Sequence, residues 1–100
     1  MLTIKKGVRF AKLSPQMVLA AITTYAAFHA LGVDCTITGG TEPGHDPRLL
    51  HPRGGALDFR IHHVSRAYAQ TLTDQIARAL GDNYDVILKR DHIHIEYDPA

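Results

Sequence analysis

The sequence predicts a small α+β domain, an antiparallel sheet with helices packed on one face. Three observations lead there. Short segments with period-2 alternation, such as "ALDFRI" at 56–61 and "HIHIEY" at 92–97, read as strands half buried on one side. Two longer segments, 15–31 and 65–80, have helical start and stop signals. Glycine, proline and asparagine punctuate the boundaries between them.

In chain order, residues 2–10 read as a short strand or extended arm. Ser14 followed by Pro15 is an N-cap and first-turn pair, and Gly32 is a C-terminal stop, so a mostly buried helix is expected over 15–31. "DCTIT", 34–38, is β-rich and ends at Gly39-Gly40. Residues 39–55, with five glycines and three prolines, form a long loop, which in a compact domain is usually functional or disordered. The strand 56–61 follows. His62 and His63 then make a turn before the Ser65 N-cap, and the helix to Leu80 places Ala69, Leu72, Ile76, Ala79 and Leu80 at helical spacing. Gly81 ends it. "YDVILK", 84–89, and residues 92–97 flank a tight turn at Arg90–Asp91 and read as an antiparallel hairpin.

One hundred residues, 45% hydrophobic, suit one domain spanning 1–100 with a modest core. Cys35 is the single cysteine, so no disulfide is available within the chain; it reads as a small buried residue at a strand start. A bound metal is the usual alternative staple in small domains. The net charge of +1, spread along the chain, argues against nucleic acid as a partner. Residues 16–33 contain no charge and follow Lys5, Lys6, Arg9 and Lys12, the outline of a short anchor or signal segment. Thr23, Thr24, Tyr25 and His29 interrupt the apolar run, and no clean cleavage site follows. A core helix is therefore expected, with no membrane partner and no signal peptide.

Seven histidines are many for this length. His29 sits in the apolar helix and reads as a helix-face or core residue, and His45 as a loop residue facing solvent or a substrate. The others gather in 51–63 and 92–94. On the 92–97 strand, His92, His94 and Glu96 share one face while Ile93, Ile95 and Tyr97 share the other. On the 56–61 strand, Asp58 and Arg60 lie opposite Leu57, Phe59 and Ile61. An aspartate amid an apolar strand needs a partner, because burying it alone is costly. The Gly54-Gly55 bend lets His51 fold back towards Asp58. With both strands in one sheet, His51, Asp58 and His94 can converge on the face away from the helices. Two imidazoles and a carboxylate are the donor number of a catalytic zinc site, which keeps a fourth position for water. A metal site on the polar face of the sheet is therefore expected.

His51, Gly54, Ala56 and Asp58, followed by His92 and His94, also form the pattern H-x-x-G-x-A-x-D … H-x-H. It resembles the group that contains lysostaphin-type enzymes, zinc D-Ala-D-Ala peptidases and the hedgehog signalling domain. The likeness spans roughly 14–98 and is greatest to short phage- and bacterium-derived D-Ala-D-Ala-type metallopeptidases. The resemblance implies zinc ligation by His51, Asp58 and His94. It implies that His92 stands beside the metal to stabilise the tetrahedral intermediate, and that Asp91, three positions before the last ligand, is the general base. Glu96, on the face of His94, is a rival base. It further implies a fold like that group's, hydrolysis of peptidoglycan stem or cross-link peptides, and synthesis in the cytoplasm with action on the cell wall if the protein is phage-derived.

Two positions depart from the pattern. Leu49 stands where serine is common, and Thr38-Gly39-Gly40-Thr41 lacks the arginine that grips a substrate carboxylate. Arg48, Arg53 or Arg60 can substitute, and Arg60 is placed best, two residues from Asp58 on the same face. The missing arginine keeps a second reading open: a metal-containing binding or virion structural domain without catalysis.

Overall fold

The computed structural model describes residues 1–42 and 54–99. The described residues form a small α+β domain of two helices and a five-stranded mixed sheet. The elements are β1 (Leu2–Ile4), α1 (Pro15–Ala30), β2 (Cys35–Gly39), β3 (Ala56–Arg60), α2 (Arg66–Leu80), β4 (Tyr84–Leu88) and β5 (His92–Tyr97). Their order across the sheet is β1-β2-β3-β5-β4.

Both helices begin where side-chain capping allows. The Ser14 hydroxyl accepts from the Met17 amide and the Ser65 hydroxyl from the Tyr68 amide, each satisfying a first-turn donor that has no helical partner. α1 ends in a Schellman arrangement. The Gly32 amide donates to the His29 carbonyl and the Val33 amide to the Phe28 carbonyl, with Gly32 at φ 69°. At 16 residues α1 is about 24 Å long. No helix among the described residues is long and apolar enough to cross a membrane.

The sheet differs from the antiparallel expectation at one edge. β1 runs parallel to β2, pairing Leu2 with Cys35 and Ile4 with Ile37. The reason is the connection: α1 lies between the two strands, and a helical crossover returns the chain to the end from which it started. The expected strand or arm over 2–10 is thus a three-residue strand. The other pairings are antiparallel. β3 and β4 are separated by α2 and both pair with β5, which is inserted between them.

Alternation then divides the side chains. Cys35, Ile37, Leu57, Phe59, Ile93 and Ile95 point into the core, against Met17, Ala20 and Phe28 of α1 and Ala69, Leu72 and Ile76 of α2. Burial pushes the Cys35 thiol up to about 12, so it is an inert small core group. Asp58, Arg60, His92, His94 and Glu96 fall on the opposite face. His29 is exposed on α1 and stacks on Tyr25 with ring centroids 5.7 Å apart.

Phe59 is completely buried, whereas Ile22 on the outer face of α1 is 62% exposed. Phe59→Ala should cost about 3–5 kcal/mol through lost burial and a residual cavity. Ile22→Ala should stay within about 0.5 kcal/mol of the parent. Urea unfolding of the two variants checks this, and equal losses would contradict the core assignment.

Candidate metal centre

Register brings the site together. β3 and β5 pair so that Asp58 stands directly opposite His94, and Arg60 opposite His92. Neighbouring strands place such partners about 5 Å apart, and here the side chains close the gap. Asp58 Oδ1 lies 2.9 Å from His94 Nδ1 and 3.5 Å from His92 Nε2. The three side chains are 14%, 13% and 28% exposed in the order Asp58, His94, His92, a cluster set into the sheet face with one open side.

Each histidine has a carboxylate on its other nitrogen. Asp91 Oδ1 lies 2.7 Å from His92 Nδ1, and Glu96 Oε1 lies 2.8 Å from His94 Nε2. Asp91 sits in the bend before β5, and its backbone carbonyl accepts from the Ile61 amide. It is therefore free of the strict alternation that would turn a strand residue away. Its carboxyl is held below the usual range, chiefly by the hydrogen bond from His92.

His94 shows what the metal-free cluster does with its charge. Both ring nitrogens face carboxylate oxygens, which only accept when ionised. Donation from both nitrogens at once needs the imidazolium form, so these surroundings favour protonation of the ring. Its pKa is accordingly raised above the ordinary value. The Asp58 hydrogen bond is the largest cause, Glu96 adds to it, and burial opposes both.

The donor geometry suits a metal. Asp58, His92 and His94 each offer a ligand atom, all within 4.8 Å of one another, and this group can hold a metal ion. Donors 2.0–2.2 Å from a tetrahedral zinc lie roughly 3.3 Å from each other, and the 2.9 and 3.5 Å separations bracket that value. Glu96 and Asp91 occupy the places of the outer carboxylates that commonly fix the tautomer of metal-bound histidines. His51, expected as a ligand, lies outside the described residues, as do His45, Arg48, Leu49 and Arg53.

Gly39 makes the room. The β2–β3 register slips between Ile37 and Gly39, and Gly39 stands against Asp58. A Cβ there would be 2.5 Å from Asp58 Oδ2, closer than real side chains approach. The carboxylate can lie flat over β2 only because position 39 has no side chain.

A cleft of about 290 Å3 opens next to the cluster, lined by Lys5, Thr38, Arg60, His62, Asp91 and His92. Arg60 and His92 in this wall were expected from the alternation of their strands. Lys5 and Thr38 were not, since their approach depends on β1 docking beside β2, which no local pattern encodes. His62 and His63 occupy the expected turn, and His63 Nε2 lies 2.8 Å from the Asp34 carbonyl.

Compared with family models, curated proteins and solved structures, the chain finds no match in any of the three.

Two outcomes follow from this geometry. In metal-free protein, His94 should titrate above the ordinary value near 6.5, and Asp58→Asn should bring it down. Its sign is that of a raised histidine: the stabilisation is complete below the unfolded pKa and disappears as pH rises through the folded one. Metal needs the neutral nitrogen, so the affinity of this group for a metal ion should climb with pH over the same window. Histidine NMR titration decides it, and a His94 value at or below the ordinary one would refute the imidazolium assignment. Second, Gly39→Ala should displace Asp58 and weaken any metal binding by this group by about 10–100-fold, the range for disturbed ligand support. Unchanged affinity would show that Asp58 is not held from β2.

Proposed function

We propose that this protein is a zinc-dependent hydrolase of peptide bonds in peptidoglycan stem or cross-link peptides. The observation that supports it most is the convergence of Asp58 and His94 across β3 and β5, with His92 beside them and a carboxylate behind each ring. Asp58 and His94 are the ligands common to the pattern in the sequence and to the cluster in the sheet. The third protein ligand in this reading is His51, and His92 is the neighbour that stabilises charge at the scissile carbonyl.

Zinc bound there would supply Lewis acidity, which acidifies water towards a pKa of ~7 and polarises a carbonyl. The chain's own groups do the rest. Asp91, whose carboxyl the His92 hydrogen bond holds below the usual range, accepts the proton of the attacking water and passes it to the leaving amine. His92, oriented through Nδ1 by Asp91, stands beside the position where the oxyanion develops. Glu96 keeps the His94 ring in place. Arg60, opposite His92 on the cleft wall, holds an anionic group of the substrate.

One observation favours the second reading, a metal-containing binding or virion structural domain. Asp91 and Glu96 are both engaged by histidine nitrogens, as carboxylates that merely orient ligands would be. Zymography on purified peptidoglycan separates the two. Zinc-loaded protein should clear the wall, a chelator should stop it, and added zinc should restore it. Protein with verified zinc and no clearing would overturn the hydrolase and leave the binding domain.

Asp91→Asn should keep fold and metal yet lose ~10²–10⁴ in rate, the usual cost of a lost general base. His94→Ala should lose the metal itself. Full activity in Asp91→Asn with a dead Glu96→Gln would move the base to Glu96, and full activity in both would leave His92 as the proton acceptor.

A further inference from the structure

The cleft beside His92 does not end at Arg60. A second cleft of about 230 Å3, lined by Lys5, Lys6, Gly7, Val8, Thr38 and Glu42, shares Lys5 and Thr38 with the first. The two clefts adjoin at Lys5 and Thr38, one beside the metal-capable cluster and the other beside the chain after β1. The first carries two cations. Lys5 is fixed there by its backbone, whose amide donates to the Ile37 carbonyl at 2.9 Å. Arg60 comes from β3 on the same face as Asp58. Among the described residues, no ion pair or hydrogen bond occupies the side chain of either. Asp91, the acid on this wall, is turned to His92. Glu42, the acid of the second cleft, accepts from the Gly40 and Arg9 amides. Two unengaged cations facing one cleft suit an oxyanion, since charge-assisted hydrogen bonds are about twice as strong as neutral ones.

We propose that Lys5 and Arg60 together grip a carboxylate in the interior of a bound peptide, whose chain continues over Lys6 to Val8. A pocket that took only a terminal carboxylate would close behind its cations, and among the described residues a second cleft adjoins this one beyond Lys5 and Thr38. The ligand class is therefore an extended peptide with an acidic side chain, cut or held at an internal position. The inference rests on the reading of this face as a peptide-binding one, and it does not depend on hydrolysis.

The test is calorimetric binding to the full chain, with acetyl-Ala-D-Glu-Ala-amide, its D-Gln counterpart and acetyl-D-Ala-D-Ala as probes. NMR mapping of backbone amides accompanies it. The D-Glu peptide should bind at least about tenfold more tightly than the D-Gln peptide, as expected for a hydrogen bond to a charged group. It should shift the amides of Lys5, Lys6, Thr38 and Val8. Lys5→Gln and Arg60→Gln should each abolish most of that preference. Equal affinities, a preference that survives both substitutions, or no binding by any peptide would overturn the proposal. So would a terminal-acid dipeptide that binds best and leaves Lys6 and Val8 unmoved. A protein that prefers the D-Glu peptide but clears no peptidoglycan keeps this inference and loses the hydrolase, and one that clears it without charge preference does the reverse.

Discussion

The carboxylate of Asp58 organises the polar face of this sheet. It stands mid-strand on β3, largely removed from water, where an ion without partners would be costly. Its compensation arrives from β5, directly across the sheet, in the ring of His94 at 2.9 Å and that of His92 at 3.5 Å. Truncating one member of such a group generally costs more than the pair contributes, because the remaining charge is left stranded. The apolar face of the same two strands fixes this pairing. Leu57, Phe59, Ile93 and Ile95 are all completely buried against the helices. A one-residue slip of β5 would turn its isoleucines out and its histidines in, so the core holds the site in register.

The arrangement also limits what each carboxylate can do. Asp58 occupies the space that a side chain at Gly39 would need. Glu96 lies on β5 itself and braces the far side of His94. Asp91 stands just outside the strand, 78% exposed, and reaches back to His92. The three acids thus differ in burial and in backbone constraint although they act on adjacent rings. The buried one is suited to ligation, and the exposed one, in contact with solvent and the cleft, is suited to proton exchange.

Much of this was legible in the sequence, for local reasons. Ser14-Pro15, Gly32, Ser65 and Gly81 place the helix ends to within a residue or two. The alternation in 56–61 and 92–97 separates core from polar face without knowledge of the pairing. The Asp58–His94 meeting needed one further assumption, that the two strands share a sheet, and they are adjacent in it. The parallel edge was not legible. β1 is three residues long, and its partner is set by the α1 crossover rather than by any pattern within Leu2–Ile4. Lys5 enters the cleft for the same nonlocal reason. The Gly39 contact is similar: "GG" marks a turn, but nothing nearby says that an aspartate from β3 will lie over it. The expected contribution of His51 falls outside the described residues.

The Asp58–His94 cluster can hold a metal ion, and the proposed function depends on its doing so. Titration of metal-stripped protein with zinc, followed through the histidine side-chain nitrogens by NMR, tests it most directly. The account predicts saturation at one equivalent, release of protons at a pH where His94 starts as imidazolium, and a large shift at His94 Nδ1 with Nε2 still donating to Glu96. No saturable binding, or binding that leaves the His94 resonances unmoved, would contradict it.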